Sequence, residues 1–152
     1  MSEMVASDDL ARIEARVARW LFDELERNPL VLAVDTDEPF QRRWYLRLRG
    51  EEKDFTTIWI TLGQRTLAYE TYVMPAPEEN HAAFYEHLLR RNARLVGAQF
   101  AIGAEDAVYL MGNLPLSAFS ESELDRIVGT LLASVEQFFR PALHLGFASR
   151  FR

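Results

Sequence analysis

Residues 66–92, TLAYETYVMPAPEENHAAFYEHLLRRN, join two incompatible periodicities across a pair of prolines. Leu67, Tyr69, Thr71 and Val73 alternate with Ala68, Glu70, Tyr72 and Met74, and residues of this kind suit a pleated surface. Pro75 and Pro77 lack the N–H that a ladder needs, so the strand stops there. His81, Phe84, Tyr85 and Leu88 then recur at helical spacing, with Glu78 and Glu79 at the expected positive end of the helix dipole. Arg90, Arg91 and Asn92 supply cations and a turn-tolerant residue at its other end. A strand, a proline turn and a helix with one buried face are therefore expected here.

The rest of the chain extends this unit on both sides. Asp8 and Asp9 are placed to cap a first helix, whose stripe is Leu10, Ile13, Val17, Leu21 and Leu25, with Trp20 at its border. Asn28-Pro29 ends it. Residues 30–34 read as a first strand. Trp44, Leu46 and Leu48 alternate with Arg43, Tyr45, Arg47 and Arg49 in a second. Residues 55–62 make a third, which turns at Gly63-Gln64-Arg65 into the organising strand. Beyond the central helix, residues 96–103 and 107–113 read as a second hairpin around Ala104-Glu105-Asp106. Ser120 and Glu123 have capping-box spacing ahead of a last helix bearing Leu124, Val128, Leu131, Val135 and Phe138. Pro141 is expected to kink or end it. Antiparallel strand runs separated by helices predict one α+β domain over 8–145, with tails at 1–7 and 146–152, helices at both chain ends and one between strand groups.

Composition narrows the function classes. The formal charge of -6 argues against nucleic acid as the main partner. There is no cysteine, hence no disulfide and no thiolate chemistry. No apolar run is long enough for a bilayer, and the N-terminal segment lacks a signal-peptide core, so a cytoplasmic protein without a membrane partner is expected. Phosphate-loop, HExxH and GxSxG patterns are absent. His81 and His87, six residues apart, fall on different helical faces, so no metal and no cofactor is expected. Glu70 reads as solvent-facing or paired with an arginine on a neighbouring strand, with Arg47 as the candidate. The basic strand of Arg42, Arg43, Arg47 and Arg49 around Tyr45 reads as a solvated sheet face, with a local anion or acidic-peptide site as the functional option.

The order of elements, with YVMPAPEENHAAFYEHLLRRN at its centre, resembles the YbjN-like family of bacterial sensory-transduction regulators over about residues 28–140. The junction ending in Leu88-Leu89-Arg90-Arg91-Asn92 carries the resemblance most specifically. The hairpin from Gln99 to Met111, followed by Asn113-Leu114-Pro115 and the capped helix, agrees with it. The resemblance implies a fold similar to type III secretion chaperones, which are small, acidic and commonly dimeric, and it brings no catalytic residues.

Three functional readings follow. The first is a non-enzymatic, chaperone-like protein-binding or regulatory module, a homodimer whose partner adds to a sheet edge or covers an apolar patch. Leu132, Phe138 and Phe139, which widen the last helix's stripe beyond one core face, are its candidate contacts. The second is a small-ligand binder or enzyme with a site between the sheet and the central helix, lined by Tyr69, Tyr72, His81 and Tyr85. The third is a structural subunit of a larger assembly.

Overall fold

A computed structural model describes residues 4–39 and 42–151. Helix α1 (Ser7–Arg27) leads into strands β1 (Val31–Thr36), β2 (Arg43–Arg49), β3 (Phe55–Leu62) and β4 (Thr66–Met74). Helix α2 (His81–Asn92), strands β5 (Gln99–Ile102) and β6 (Val108–Pro115) and helix α3 (Glu121–Gly146) follow. The strands form one six-stranded sheet in the order β1-β2-β3-β4-β6-β5, and every neighbouring pair is antiparallel. This is the α+β class expected from the sequence.

Alternation decides which side chains enter the core. Trp44, Leu46 and Leu48 of β2, Ile58, Ile60 and Leu62 of β3, Leu67, Tyr69 and Val73 of β4, and Val108, Leu110 and Leu114 of β6 are buried on one face. They join Val17 and Leu21 of α1, Phe84 and Leu88 of α2, and Leu124, Ile127, Leu131 and Val135 of α3 in a single cluster. Burying each large apolar side chain contributes about 1.5–3 kcal/mol. In α1 the stripe shifts slightly from expectation: Trp20 is buried, and Leu25 lies outside.

The helix ends differ from the sequence reading in instructive ways. Asp8 and Asp9 lie inside the first turn of α1, after an Ala6 N-cap that makes no side-chain bond. Ser120 does cap α3, accepting the Glu123 N–H at 3.1 Å, but the Glu123 carboxylate turns to Arg126 rather than back to the cap. Pro141 is accommodated within α3, which runs on to Gly146. The carbonyls left free at that end are taken up by the proline junction. The Glu78 and Glu79 N–H groups donate to Gly146 O at 2.9 and 3.1 Å, and the Asn80 amide donates to Leu145 O at 2.8 Å. Helix ends need such partners. Glu78 and Glu79 thus precede α2 instead of opening it, and its first turn holds no acid. Glu78 pairs with Arg150, and Glu79 accepts from the Ser149 hydroxyl at 2.7 Å. Phe147 is buried and Ala148–Phe151 form a 3-10 turn, so this stretch, expected as a tail, makes tertiary contacts. At the other end, Val5 N–H donates to Gln64 O at 2.8 Å.

Candidate protein-binding surfaces

Two surfaces stand out, one at a sheet edge and one on the open sheet face. Among the described residues strand β5 pairs with β6 alone, so it forms an edge. Phe100, opposite Leu110, turns its backbone groups away from β6 and meets the Asn92 side chain. Phe100 N–H donates to Asn92 Oδ1 at 2.6 Å, and Asn92 Nδ2 donates to Phe100 O at 3.1 Å. The side-chain amide thereby occupies the place of a neighbouring strand's peptide. Beside this clamp, Tyr85, Leu88, Leu89, Phe100 and Ile102 line an apolar cleft of about 270 Å³. Leu89 is 67% exposed and Ile102 57%, so large apolar side chains project on both sides of it.

The face of the sheet away from the core carries aromatics where polar residues are usual. Asp35, Tyr45, Trp59, Glu70, Met111 and Gln99 form one row across all six strands. Tyr45 packs on Trp59 with ring centroids 5.3 Å apart, and Tyr72 meets Tyr109 edge-on at 5.8 Å. Arg43 lies over Trp59, Arg47 over Phe55 and the Lys53 ammonium over Tyr72, at 5.1, 4.3 and 5.5 Å. Tyr, Trp, Met and Arg are residues that interfaces favour. Glu70 pairs at 3.5 Å with Arg43, not with the expected Arg47, which is committed to Phe55. Burial of Lys53 pushes its pKa down, although Glu136 opposes the shift.

The four residues expected to line a pocket under α2 do not converge. Tyr69 is buried beneath the sheet, where its hydroxyl donates to Gly97 O, and burial raises its pKa. Its ring lies against Gly112, at which a Cβ would come within 2.6 Å of Tyr69 Cε2 and 2.5 Å of Gly97 O. Tyr72 belongs to the opposite face, as alternation along β4 requires. His81 is exposed at the start of α2. Tyr85 lines the apolar cleft at the edge. Leu132, Phe138 and Phe139 are half-buried and packed on the core cluster, with Phe138 edge-on to Phe100 at 6.0 Å.

Sequence reasoning missed Leu89, Ile102 and the aromatics Trp59 and Tyr109. Leu89 sits beside the helical stripe rather than on it, and Trp59 and Tyr109 occupy the non-core phase of their strands, so an apolar residue out of phase was the available signal for these three; Ile102 shares the phase of buried Phe100 and gave no such signal. Among the described residues no cluster of potential metal ligands occurs. No helix there is long and apolar enough to cross a membrane.

The fold defined by this sheet and its helices is that of the type III secretion chaperones. A chain of the crystal structure of the ExsC–ExsE complex superposes with a TM-score of 0.54 at 18% identity, covering 84% of this chain and 93% of that one. A chain of the heterodimeric ExoU–SpcU complex from the type III secretion system of Pseudomonas aeruginosa gives 0.52 at 13% identity, covering 81% and 97%. Likeness at such identities is one of fold. By sequence, the chain belongs to the YbjN family, whose description reads "Putative bacterial sensory transduction regulator" and whose model matches residues 16–144. An uncharacterized protein of Mycobacterium leprae is 34% identical over 107 residues, 70% of this chain and 58% of its own length. One from Mycobacterium tuberculosis strain H37Rv is 36% identical over 104 residues, 68% and 57%. The chain thus spans a little over half the length of these relatives.

Proposed function

We propose that this chain works by binding protein, in a chaperone-like manner and without catalysis, and that its β5 edge holds a second copy of itself. The observation that carries the reading is the apolar cleft beside the edge strand, with Leu89 and Ile102 projecting around it. A patch holding both a cleft and protrusions can complement itself across a two-fold axis, each copy's leucine entering the other's cleft. The Asn92 clamp satisfies the outward amide of Phe100, so the contact rests on side chains more than on strand pairing. The solved chains of the same fold come from two-protein complexes, which supports a protein partner. The family description points to regulation rather than chemistry, and the scattered positions of Tyr69, Tyr72, His81 and Tyr85 take support from an enzyme site under α2. The aromatic open face is the second protein contact in this reading. A soluble, cytoplasmic setting accords with the net charge of -6.

Sedimentation equilibrium at micromolar concentration tests the assembly. Wild type is expected to be a dimer, and Leu89→Asp and Ile102→Asp folded monomers with the far-UV circular dichroism of wild type and a melting temperature lowered by the lost association. A monomeric wild type removes the homodimer. A dimer that survives both substitutions moves the interface to α3, where Leu132, Phe138 and Phe139 remain the candidate contacts and Phe139→Glu is the variant that reads it. A photoreactive residue at Tyr72, crosslinked in the native cell, reports on the open face. Recovery of no protein adduct there removes that face from the reading.

A further inference from the structure

Helices α2 and α3 enclose a second cleft, of about 460 Å³, on the other side of α2 from the edge groove. Its walls are of two kinds. Phe138, Leu95 and Pro141 supply an apolar floor, and His87, Arg91 and Arg94 supply nitrogen donors. Among the described residues neither Arg91 nor Arg94 has a carboxylate within ion-pairing distance, although acids outnumber bases in the chain. The Arg91 guanidinium lies 6.0 Å from the centre of the Phe138 ring. His87 Nε2 is buried and has no hydrogen-bond partner, a costly state for a polar atom. Burial and, after it, the Arg91 charge push the His87 pKa down, which favours the neutral imidazole. The helix dipole accounts for cations at the end of α2. It does not account for an orphan imidazole nitrogen beside them, nor for an aromatic floor.

We propose that this cleft binds a small organic anion: carboxylate or phosphate oxygens held by Arg91 and Arg94 on the wall they share with His87, with an apolar body laid on Phe138, Leu95 and Pro141. Guanidinium groups match the planar oxygens of both headgroups. A cleft of this size lies within the usual range for small ligands, about 300–1,000 Å³. The inference goes beyond the protein-binding reading and does not depend on the β5-edge dimer, because its residues lie outside the edge cleft.

The test is an NMR titration of the full-length, isotope-labelled chain, following the His87 imidazole and Phe138 ring signals. Benzyl phosphate and phenylacetate are the anionic probes, and the tighter of the two identifies the headgroup. Benzyl alcohol is the neutral control and inorganic phosphate the headgroup control. Saturable shifts of both residues are expected with at least one anionic probe, and none with benzyl alcohol. Arg91→Gln and Arg94→Gln, both at solvent-accessible positions, are each expected to weaken binding about tenfold, as loss of a charged hydrogen bond does. Absence of saturation by about 10 mM of either anionic probe overturns the proposal. So does equal binding by the double variant with a wild-type melting temperature, or binding of inorganic phosphate as tight as that of benzyl phosphate.

Discussion

Asn92 and Phe100 exchange two hydrogen bonds, side-chain amide to backbone peptide, at 2.6 and 3.1 Å. The pair ties the last turn of α2 to the edge strand and leaves β5 with a satisfied outward amide. Asn92→Ala removes both partners at a half-buried position. It is expected to lower stability by about 1–3 kcal/mol in urea unfolding, with the m-value unchanged. A loss below about 0.3 kcal/mol would show that water replaces the clamp freely.

Adjacent leucines in α2 should behave oppositely. Leu88 is 5% exposed and Leu89 67%. Leu88→Ala is expected to cost about 2–5 kcal/mol. Leu89→Ala, measured in the monomer, should stay within about 0.5 kcal/mol of wild type. Equal losses at both positions would mean that the helix is rotated from the orientation described.

Two glycines make a similar contrast. A methyl at Gly112 meets the Gly97 carbonyl oxygen and the Tyr69 ring, whereas nothing lies within 4 Å of one at Gly129. Gly112→Ala is expected to destabilise by about 1–3 kcal/mol, since backbone cannot yield as a flexible side chain can. Gly129→Ala, within α3, should stabilise by about 0.5–1 kcal/mol. Thermal melts of the two variants settle both signs.

Glu121 provides a pH dependence of defined sign. Its bidentate pair with Arg16, at 2.9 and 2.5 Å, is the main reason its pKa falls from 4.5 to about 2, and its place at the start of α3 adds to the shift. A depressed carboxylate contributes stability above its unfolded pKa and loses it as pH falls toward the folded value. The pair is about half exposed, so the contribution should be only about 0.2–1 kcal/mol. Wild type should exceed Glu121→Gln by that amount near pH 6, with the gap closing between pH 4.5 and about 2. A gap that does not change with pH would assign the effect to something other than this ionisation.

Strand β3 shows how much a sequence can state by itself. Flanking turns and strict alternation bound residues 55–62, and the strand has those limits. Val96 shows where this fails. A strand was expected from residue 96, but Gly97 adopts φ +80, Val96 is 79% exposed, and β5 starts at Gln99. Backbone handedness at one glycine is a tertiary outcome, invisible to periodicity. Pro141 likewise broke a local rule without ending α3, whose terminal carbonyls found partners in the distant proline junction. At the candidate site the separation of Tyr69 from Tyr72 was already implied by the period of two. The exposure of Leu89 and the orphaned nitrogen of His87 were not, because both depend on which helices pack nearby.

The strand order has a consequence for synthesis. Strands β1, β2, β3 and β4 each pair with the next in sequence, so these four can zip together as they leave the ribosome. Strand β4 then waits, its far edge bare, until Val108 onward has been made, because its second neighbour is β6. β5 is made earlier but has nothing to join until β6 arrives to sit between them. During that interval the nascent chain displays an unpaired edge. A pause in translation between α2 and β6 would lengthen the exposure, so aggregation in cells should respond to codon usage there even though the finished protein is identical.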